Sequence, residues 1–355
     1  MCSGFARVLS GGGLIGLVIS GMVSLPSAAR ADLFVDPLFD SVKTASNQVY
    51  RADAPRVGGT TTALQYDVYQ PSQASGGPAV PNRLPGMVLV HGGGFVQGSK
   101  TNGGIVQMAE YFSRRGYVVA SINYRLMNLG DPLLDPAVEA GPYPVNPPQD
   151  PAEYLLWASN PFNFAERTGS AINAAHNDAA YFSNIFFQDA ADYGVDPERI
   201  ALAGSSAGAI TSLAAGYADH PNGPNQDFGS VISLAGAMYG LEFLVDADDP
   251  ALWFQHGTND TTVPYSNAQA LLARAEAVGL SHSFHTHDEG HSIFEPYFNN
   301  LTADGLTFAE DSTRFLYDQM QLNQLNSVPE PLGFPLLFGV LAASSLVRRG
   351  RSGRC

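Results

Sequence analysis

Arg199-Ile-Ala-Leu-Ala-Gly204-Ser205-Ser206-Ala207-Gly208-Ala-Ile-Thr-Ser-Leu213 decides how the chain is read. The apolar run Ile200–Ala203 predicts a short buried strand. Ala207 onward, with Ala209, Ile210 and Leu213, predicts the start of a helix. Between them lies G-x-S-x-G, the pattern of a strand–turn–helix nucleophile elbow. A reversal this sharp leaves little room for side chains beside the serine, so Gly204 and Gly208 remove them. The turn lifts one hydroxyl to a helix N-terminus, where free N–H groups favour negative charge. Ser206 alone has a glycine two residues away on both sides; Ser205 is the in-between position.

Upstream, Gly86-Met-Val-Leu-Val90 predicts a strand buried on both faces of a parallel sheet, and it runs directly into His91-Gly92-Gly93-Gly94-Phe95. A helix over Met108–Arg115 and a strand over Tyr117–Ile122, ending in Asn123-Tyr124-Arg125-Leu126, complete a βαβ rhythm. Before these, Pro37–Asn47 predicts a helix, Thr61–Gln70 an early strand or hairpin arm, and Pro71–Pro85 a loop. Met127–Phe164 breaks the rhythm: it is rich in proline and carries Tyr143, Tyr154, Trp157, Phe162 and Phe164. Two readings stand for this insertion, a lid or pocket wall, and an aromatic patch packing it onto the body. Downstream, helices are expected over Gly169–Tyr193, Ser266–Val278 and Thr307–Gln321, with strands over Val231–Ala235, Ala251–His256 and Ser281–Thr286.

A serine hydroxyl needs a base to take its proton, and the base needs a carboxylate to fix its tautomer. Of the eight histidines, His291 lies in a Gly290-His291 loop beyond the last strand, able to reach back over the strand ends; its closest rival is His287. Asp260 follows the strand Ala251–His256 in a short loop at the same sheet edge. Asp288 is too near His291 along the chain, and Asp246, Asp248 and Asp249 precede their strand and belong at the other end. The order Ser206, Asp260, His291 follows, with Ser206 as nucleophile, His291 as general base and acid, and Asp260 as its orienting carboxylate. Oxyanion donors are expected from the backbone N–H of Ala207 and from the loop Gly92-Gly93-Gly94, where main-chain amides approach closely. This chemistry needs no cofactor. A zinc cluster of His282, His285, His287 and His291 is disfavoured, because strand alternation sends His285 and His287 to one face and His282 to the other. Asp178 reads as a helix–sheet hydrogen-bond acceptor.

These segments together resemble the α/β-hydrolase superfamily: His91-Gly92-Gly93-Gly94, Gly204-Ser205-Ser206-Ala207-Gly208, Asp260 in His-Gly-Thr-Asn-Asp, and His291 in Gly-His-Ser-Ile-Phe. More narrowly they are similar to the HGGG-type carboxylesterases and lipases, the hormone-sensitive-lipase-like group, as is Asn123-Tyr124-Arg125-Leu126. The resemblance spans about Leu64 to Tyr317. It implies an α/β fold with a mostly parallel central sheet flanked by helices. Gly93, Gly94 and Ala207 become the implied oxyanion donors, His91 a structural member of its loop, and a carboxylic ester the implied substrate, small or polymer-borne. Many members carry an N-terminal helical cap, whereas here the extra bulk lies in residues 127–164, so pocket shape does not carry over. A serine peptidase or acyltransferase on this scaffold is the runner-up, and a non-catalytic surface or matrix protein is the alternative from another class.

The ends read differently from the body. Met1–Ala31 has a basic Arg7, an apolar core Leu14–Val23 and Ala29-Arg30-Ala31, the parts of a secretory signal peptide cleaved after Ala31. Val328-Pro329-Glu330-Pro331, an apolar run Leu332–Val347 and Arg348-Arg349-Gly350-Arg351 resemble the PEP-CTERM sorting signal of Gram-negative bacteria. That resemblance implies processing by an exosortase-type enzyme, with export to the cell surface or extracellular matrix and membrane contact only through the tail (residues 328–355). A plain C-terminal anchor is the other reading. Residues 32–326 then form one catalytic domain of 295 residues, with the insertion at 127–164. Both cysteines, Cys2 and Cys355, fall outside it, so it has no disulfide and no thiolate chemistry. Setting aside the six arginines and one glutamate of the ends leaves 12 of 18 basic and 32 of 33 acidic residues, a formal net charge of −20. Such a body repels nucleic acid and anionic lipid.

Overall fold

The strand that sets the fold is Leu84–Val90 (β3), whose seven residues are all buried. A strand apolar along its whole length has no solvent face, so it is stable only inside a parallel sheet covered on both sides. The computed structural model describes residues 32–73, 79–146, 148, 150–160, 164–218 and 227–326. In it, β3 lies at the centre of an eight-stranded sheet with Ser41–Pro55 (β1), Thr61–Ser72 (β2), Val118–Ile122 (β4), Val195–Ser205 (β5), Ser230–Leu234 (β6), Ala251–Gly257 (β7) and His282–His287 (β8). The order is β1-β2-β4-β3-β5-β6-β7-β8. Only β2 runs against the rest, antiparallel to both β1 and β4; every pairing from β4 to β8 is parallel.

Alternation along β7 divides the two helical layers. Trp253 packs on Phe308 of Phe308–Gln319 (α7) and gives its indole N–H to Asp311 on that helix. Leu252 and Phe254 point the other way, into a core shared with Leu213 of Ala207–Tyr217 (α4) and Leu271 of Tyr265–Val278 (α5). Gly103–Ser113 (α1) joins α7 through Tyr111 and Thr313. Phe164–Gln188 (α3) packs against α4. Pro151–Ala158 (α2) and Phe294–Asn299 (α6) complete the α-helices of the described residues. Full burial of side chains such as Met87, Val88 and Leu89 contributes roughly 1.5–3 kcal/mol each.

The sheet places one set of chain ends along a single edge. Val90 pairs with Gly204, Gly204 with Ser233, Ser233 with Phe254, and Gly257 with His287. The loops that follow β3, β5, β7 and β8 therefore leave the sheet side by side, where open α/β sheets gather their ligands.

Two expectations are corrected. Pro37–Asn47 is no helix: Ser41 onward is the outer strand β1, a mostly exposed edge whose register against β2 shifts between Ala45/Gln48, Val49/Arg51 and Arg51/Ala54. The long helix before the elbow begins at Phe164, ahead of the expected Gly169, and so takes in the last residue of the insertion. The signal-peptide and sorting-tail segments lie outside the described residues. Within the described residues, no helix is long and apolar enough to cross a membrane.

A buried ion network ties the insertion to the body. Asp178 of α3 accepts from the Arg125 backbone N–H and Nε, and from Arg51 of β1. Arg125 also forms a two-pronged pair with Glu139 of the insertion. Asp178 is thus an acceptor, as expected, but its partners are guanidiniums as well as main chain.

Candidate active site

Ser206 stands between β5 and α4 with φ 52° and ψ −120°, a conformation rare for a residue with a side chain. Its own N–H is held by Leu234 O at 2.8 Å and its carbonyl accepts from Ile210 N, which fixes the turn at both ends. A Cβ at Gly204 would meet Gly208 O at 2.2 Å, and one at Gly208 would meet Val90 O at 2.1 Å. The flanking glycines therefore let the elbow close on itself and on the end of β3.

The loop after β7 supplies Asp260, whose side chain is fully buried. Its Oδ1 accepts from the backbone N–H of Thr262 at 2.8 Å and of Val263 at 3.0 Å. Its Oδ2 faces His291 Nδ1 at 2.6 Å. A carboxylate can only accept, so Nδ1 carries the proton and Nε2 is left as acceptor. That Nε2 lies 2.8 Å from Ser206 Oγ. The structure thus brings Ser206, His291 and Asp260 into one hydrogen-bonded chain, from positions 85 and 31 residues apart in sequence. The loops of Asp260 and His291 are fastened together: Thr258 gives both N–H and hydroxyl to His287 O, and Asn259 Nδ2 donates to Asp288 O.

His287 goes elsewhere. It is buried, with Nδ1 2.7 Å from Glu289 Oε2. His285 meets Asp311 at 2.8 Å, and His282 Nδ1 donates to Leu280 O. His256 is the penultimate residue of β7, beneath the Asp260 loop. It gives its Nε2 proton to Val263 O at 2.8 Å, and burial holds its pKa below the usual histidine value.

The loop after β3 turns tightly. Gly93 and Gly94 have φ 126° and 62°, and a Cβ on Gly93 would fall 1.9 Å from Gln97 O. The Gly93 carbonyl accepts from Val96 and Gln97, while Gly94 faces the same cavity as Ser206 and Ala207. Ala207 is the first residue of α4, where backbone N–H groups have no intrahelical acceptor. His91 stacks on Tyr124 with ring centroids 4.4 Å apart, donates through Nδ1 to Gly92 O, and has its pKa pushed down to about 4 by burial. Tyr124 OH in turn donates to His91 O. His91 is therefore part of the loop's frame, stacked on the segment that follows β4.

Beside Ser206 lies a cavity of about 480 Å³, a volume typical of small-molecule sites. Phe95 and Ile210 form part of its apolar lining, with Ile172 and Gly169 from the early turns of α3. Tyr143 of the insertion and Tyr239 of the loop after β6 face it from further sides. The insertion is thus divided between its two expected roles. Tyr143 is a pocket wall, whereas Tyr154 and Trp157 pack with Val57 and Val138 in a separate cluster. Neither Tyr239 nor the role of Tyr143 was singled out from the sequence, because both depend on contacts made only after folding. The positive φ of Tyr239 (50°) has no sequence signal.

A protein-family model described as BD-FAE matches residues 66–131, the stretch holding β3, the glycine loop and the end of β4. Among solved structures, esterase 2 of Thermogutta terrifontis phosphorylated by paraoxon is similar with a TM-score of 0.52 and 18% identity, over 82% of this chain and 97% of that one. The butyrate-bound form of that thermophilic planctomycete esterase gives 0.52 and 18%, over 80% and 96%. Its native form gives 0.51 and 19%, over 81% and 95%. No curated protein matches the chain. Together with the sheet order, these likenesses show the α/β-hydrolase fold.

Proposed function

We propose that the protein is a serine hydrolase of esterase type, cleaving a carboxylic ester through an acyl-enzyme intermediate. The observation that carries this reading is the continuous Ser206–His291–Asp260 chain, at 2.8 and 2.6 Å, at the mouth of an apolar cavity. Ser206 Oγ attacks the acyl carbonyl while His291 Nε2 takes its proton, and buried Asp260 stabilises the imidazolium that results. The N–H groups of Ala207, Gly93 and Gly94 hold the oxyanion, a contribution of about 3 kcal/mol for each donor. As the C–O bond breaks, His291 returns the proton to the departing alcohol oxygen. Water, deprotonated by His291, then attacks the acyl-serine; the acyl–Oγ bond breaks, His291 returns the proton to Ser206 Oγ, and the acid leaves. The family model and the esterase neighbours agree with this reading.

An organophosphonate and p-nitrophenyl esters test it on the full chain. The expected result is one adduct on Ser206, ester turnover by the parent, and a fall of several orders of magnitude in Ser206→Ala. A Ser206→Ala variant as active as the parent would overturn it. Turnover of amides in preference to esters would favour a peptidase on the same scaffold.

We further propose that the protein is exported, with residues 1–31 removed and the tail at 328–355 directing it to the cell surface or matrix after exosortase-type processing. The three-part composition of each end supports this. Mass spectrometry of the extracellular protein reads both new termini, and an intact tail in that fraction would contradict processing.

A further inference from the structure

We infer that the cavity beside Ser206 receives the acyl half of the substrate as an uncharged apolar chain longer than acetyl, and that Tyr143, clamped by Asn173, limits its length. The inference rests on the ester-hydrolase reading above and goes beyond it in naming the acyl class and the residue that selects it.

The side of the scissile bond follows from which groups share the cavity. Ala207 and Gly94, on the oxyanion side, line it together with Ser206; His291 does not, among the described residues. In an acyl transfer the carbonyl oxygen turns to the amides, and the leaving oxygen turns to the imidazole that protonates it. The part of the substrate in the cavity is therefore the acyl chain, and the alcohol leaves past His291.

Its class follows from the lining. No charged side chain faces the cavity among the described residues, and Phe95, Ile172, Ile210 and Val263 present hydrocarbon to it. A carboxylate there would lose its hydration without a partner. An acetyl methyl would leave most of the 480 Å³ unfilled and forfeit the contacts the wall offers.

The limit follows from Tyr143. Its backbone N–H is accepted by Asn173 Oδ1 at 3.0 Å, and Asn173 Nδ2 donates to Tyr143 O at 2.8 Å. Asn173 is itself buried on α3, and Gly141 rests directly against it. The Tyr143 hydroxyl then donates to Met238 O at 3.2 Å, next to Tyr239. The ring is held from both ends, across the gap between the insertion and the loop after β6, as a fixed wall.

The experiment compares kcat/KM for p-nitrophenyl acetate, butyrate, octanoate and hemisuccinate, in the parent, Tyr143→Ala and Tyr143→Phe. Ratios between esters are the readout, because they do not depend on how much of a variant folds. In the parent, butyrate exceeds acetate by about tenfold or more, and hemisuccinate falls at least tenfold below butyrate. Tyr143→Ala raises the octanoate-to-butyrate ratio at least tenfold, while Tyr143→Phe, which keeps the ring, keeps the parent's ratio within about threefold. Acetate as the best ester, hemisuccinate turned over as well as butyrate, or an unchanged ratio in Tyr143→Ala would each overturn the inference while leaving the ester-hydrolase reading in place. No turnover of any ester and no adduct on Ser206 would end both.

Discussion

His256 Nε2 lies 3.5 Å from Asp260 Oδ2, the same carboxylate oxygen that His291 uses. The two groups are also joined through Val263: His256 donates to Val263 O, and Val263 N donates to Asp260 Oδ1. Burial lowers the His256 pKa, so the imidazole stays neutral and adds no charge to compete with His291. His256 is in this sense a positioning residue for the acid. Replacing it by Phe frees the Asp260 loop, and a displacement near 1 Å costs about 10²-fold in rate. His256→Phe should lower kcat by roughly 10- to 100-fold with little change in KM, and His256→Gln, which keeps a donor, should recover part of it. Steady-state kinetics with p-nitrophenyl butyrate decide the matter, and an unaltered kcat in His256→Phe would refute the role.

Asp260→Asn makes a sharper demand. The amide can donate to His291 Nδ1, which then loses its proton and leaves Nε2–H facing Ser206, the wrong tautomer for a base. Geometry is retained while kcat falls by about 10⁴. The variant should bind a non-hydrolysable amide analogue of the ester, which forms no covalent bond to Ser206, with an affinity near the parent's, as read by calorimetry. A kcat within tenfold of the parent's would mean that the carboxylate does not set the tautomer.

Much of this architecture was legible because parallel strands buried on both faces are written as unbroken apolar runs: β3, β4, β6 and β7 lie within a residue or two of where those runs placed them. β1 was misread for a physical reason. As an edge strand it buries few side chains, and three register shifts against β2 break the alternation that would mark it, so its sequence carries no clear period of two. That Ser206, Asp260 and His291 meet was legible because each directly follows a strand at the same edge of the sheet. The clamp of Asn173 on Tyr143 was not, since it pairs residues 30 apart through backbone groups that no motif encodes. The same holds for His256, whose neighbours are set by how the loop after β7 folds back.

The elbow glycines differ in kind from others in the chain. At Gly208 an added Cβ meets Val90 O at 2.1 Å, and the obstacle is main chain of a central strand that cannot move aside. At Gly103, the first residue of α1, nothing lies within 4 Å. Gly208→Ala should cost about 3 kcal/mol or more, at the high end of overpacking effects, and abolish labelling of Ser206. Gly103→Ala should be neutral or stabilise by up to ~1 kcal/mol. Urea unfolding of the two variants reads the contrast directly, and equal effects would mean the elbow has room that the geometry denies.

His91 gives the fold a pH dependence whose sign is fixed. Its Nδ1 proton goes to Gly92 O, and its Nε2 is buried with no hydrogen-bond partner among the described residues, so protonation there places an unpaired charge in the core. Burial accordingly depresses the pKa from 6.5 to about 4. With the folded value below the unfolded one, the unfolded chain binds more protons in this window, so stability is full above pH 6.5 and declines as pH falls towards about 4. At about 1.4 kcal/mol per pKa unit, the His91 share of that loss is roughly 3 kcal/mol. His256, also depressed by burial, acts in the same direction. His91→Phe keeps a ring against Tyr124 and has nothing to titrate. Unfolding free energies between pH 7 and 4 should therefore fall less steeply in the variant than in the parent, even if the variant starts lower through loss of the bond to Gly92. Parallel curves would show that the proton enters elsewhere and that the His91 ring is not sealed in the loop.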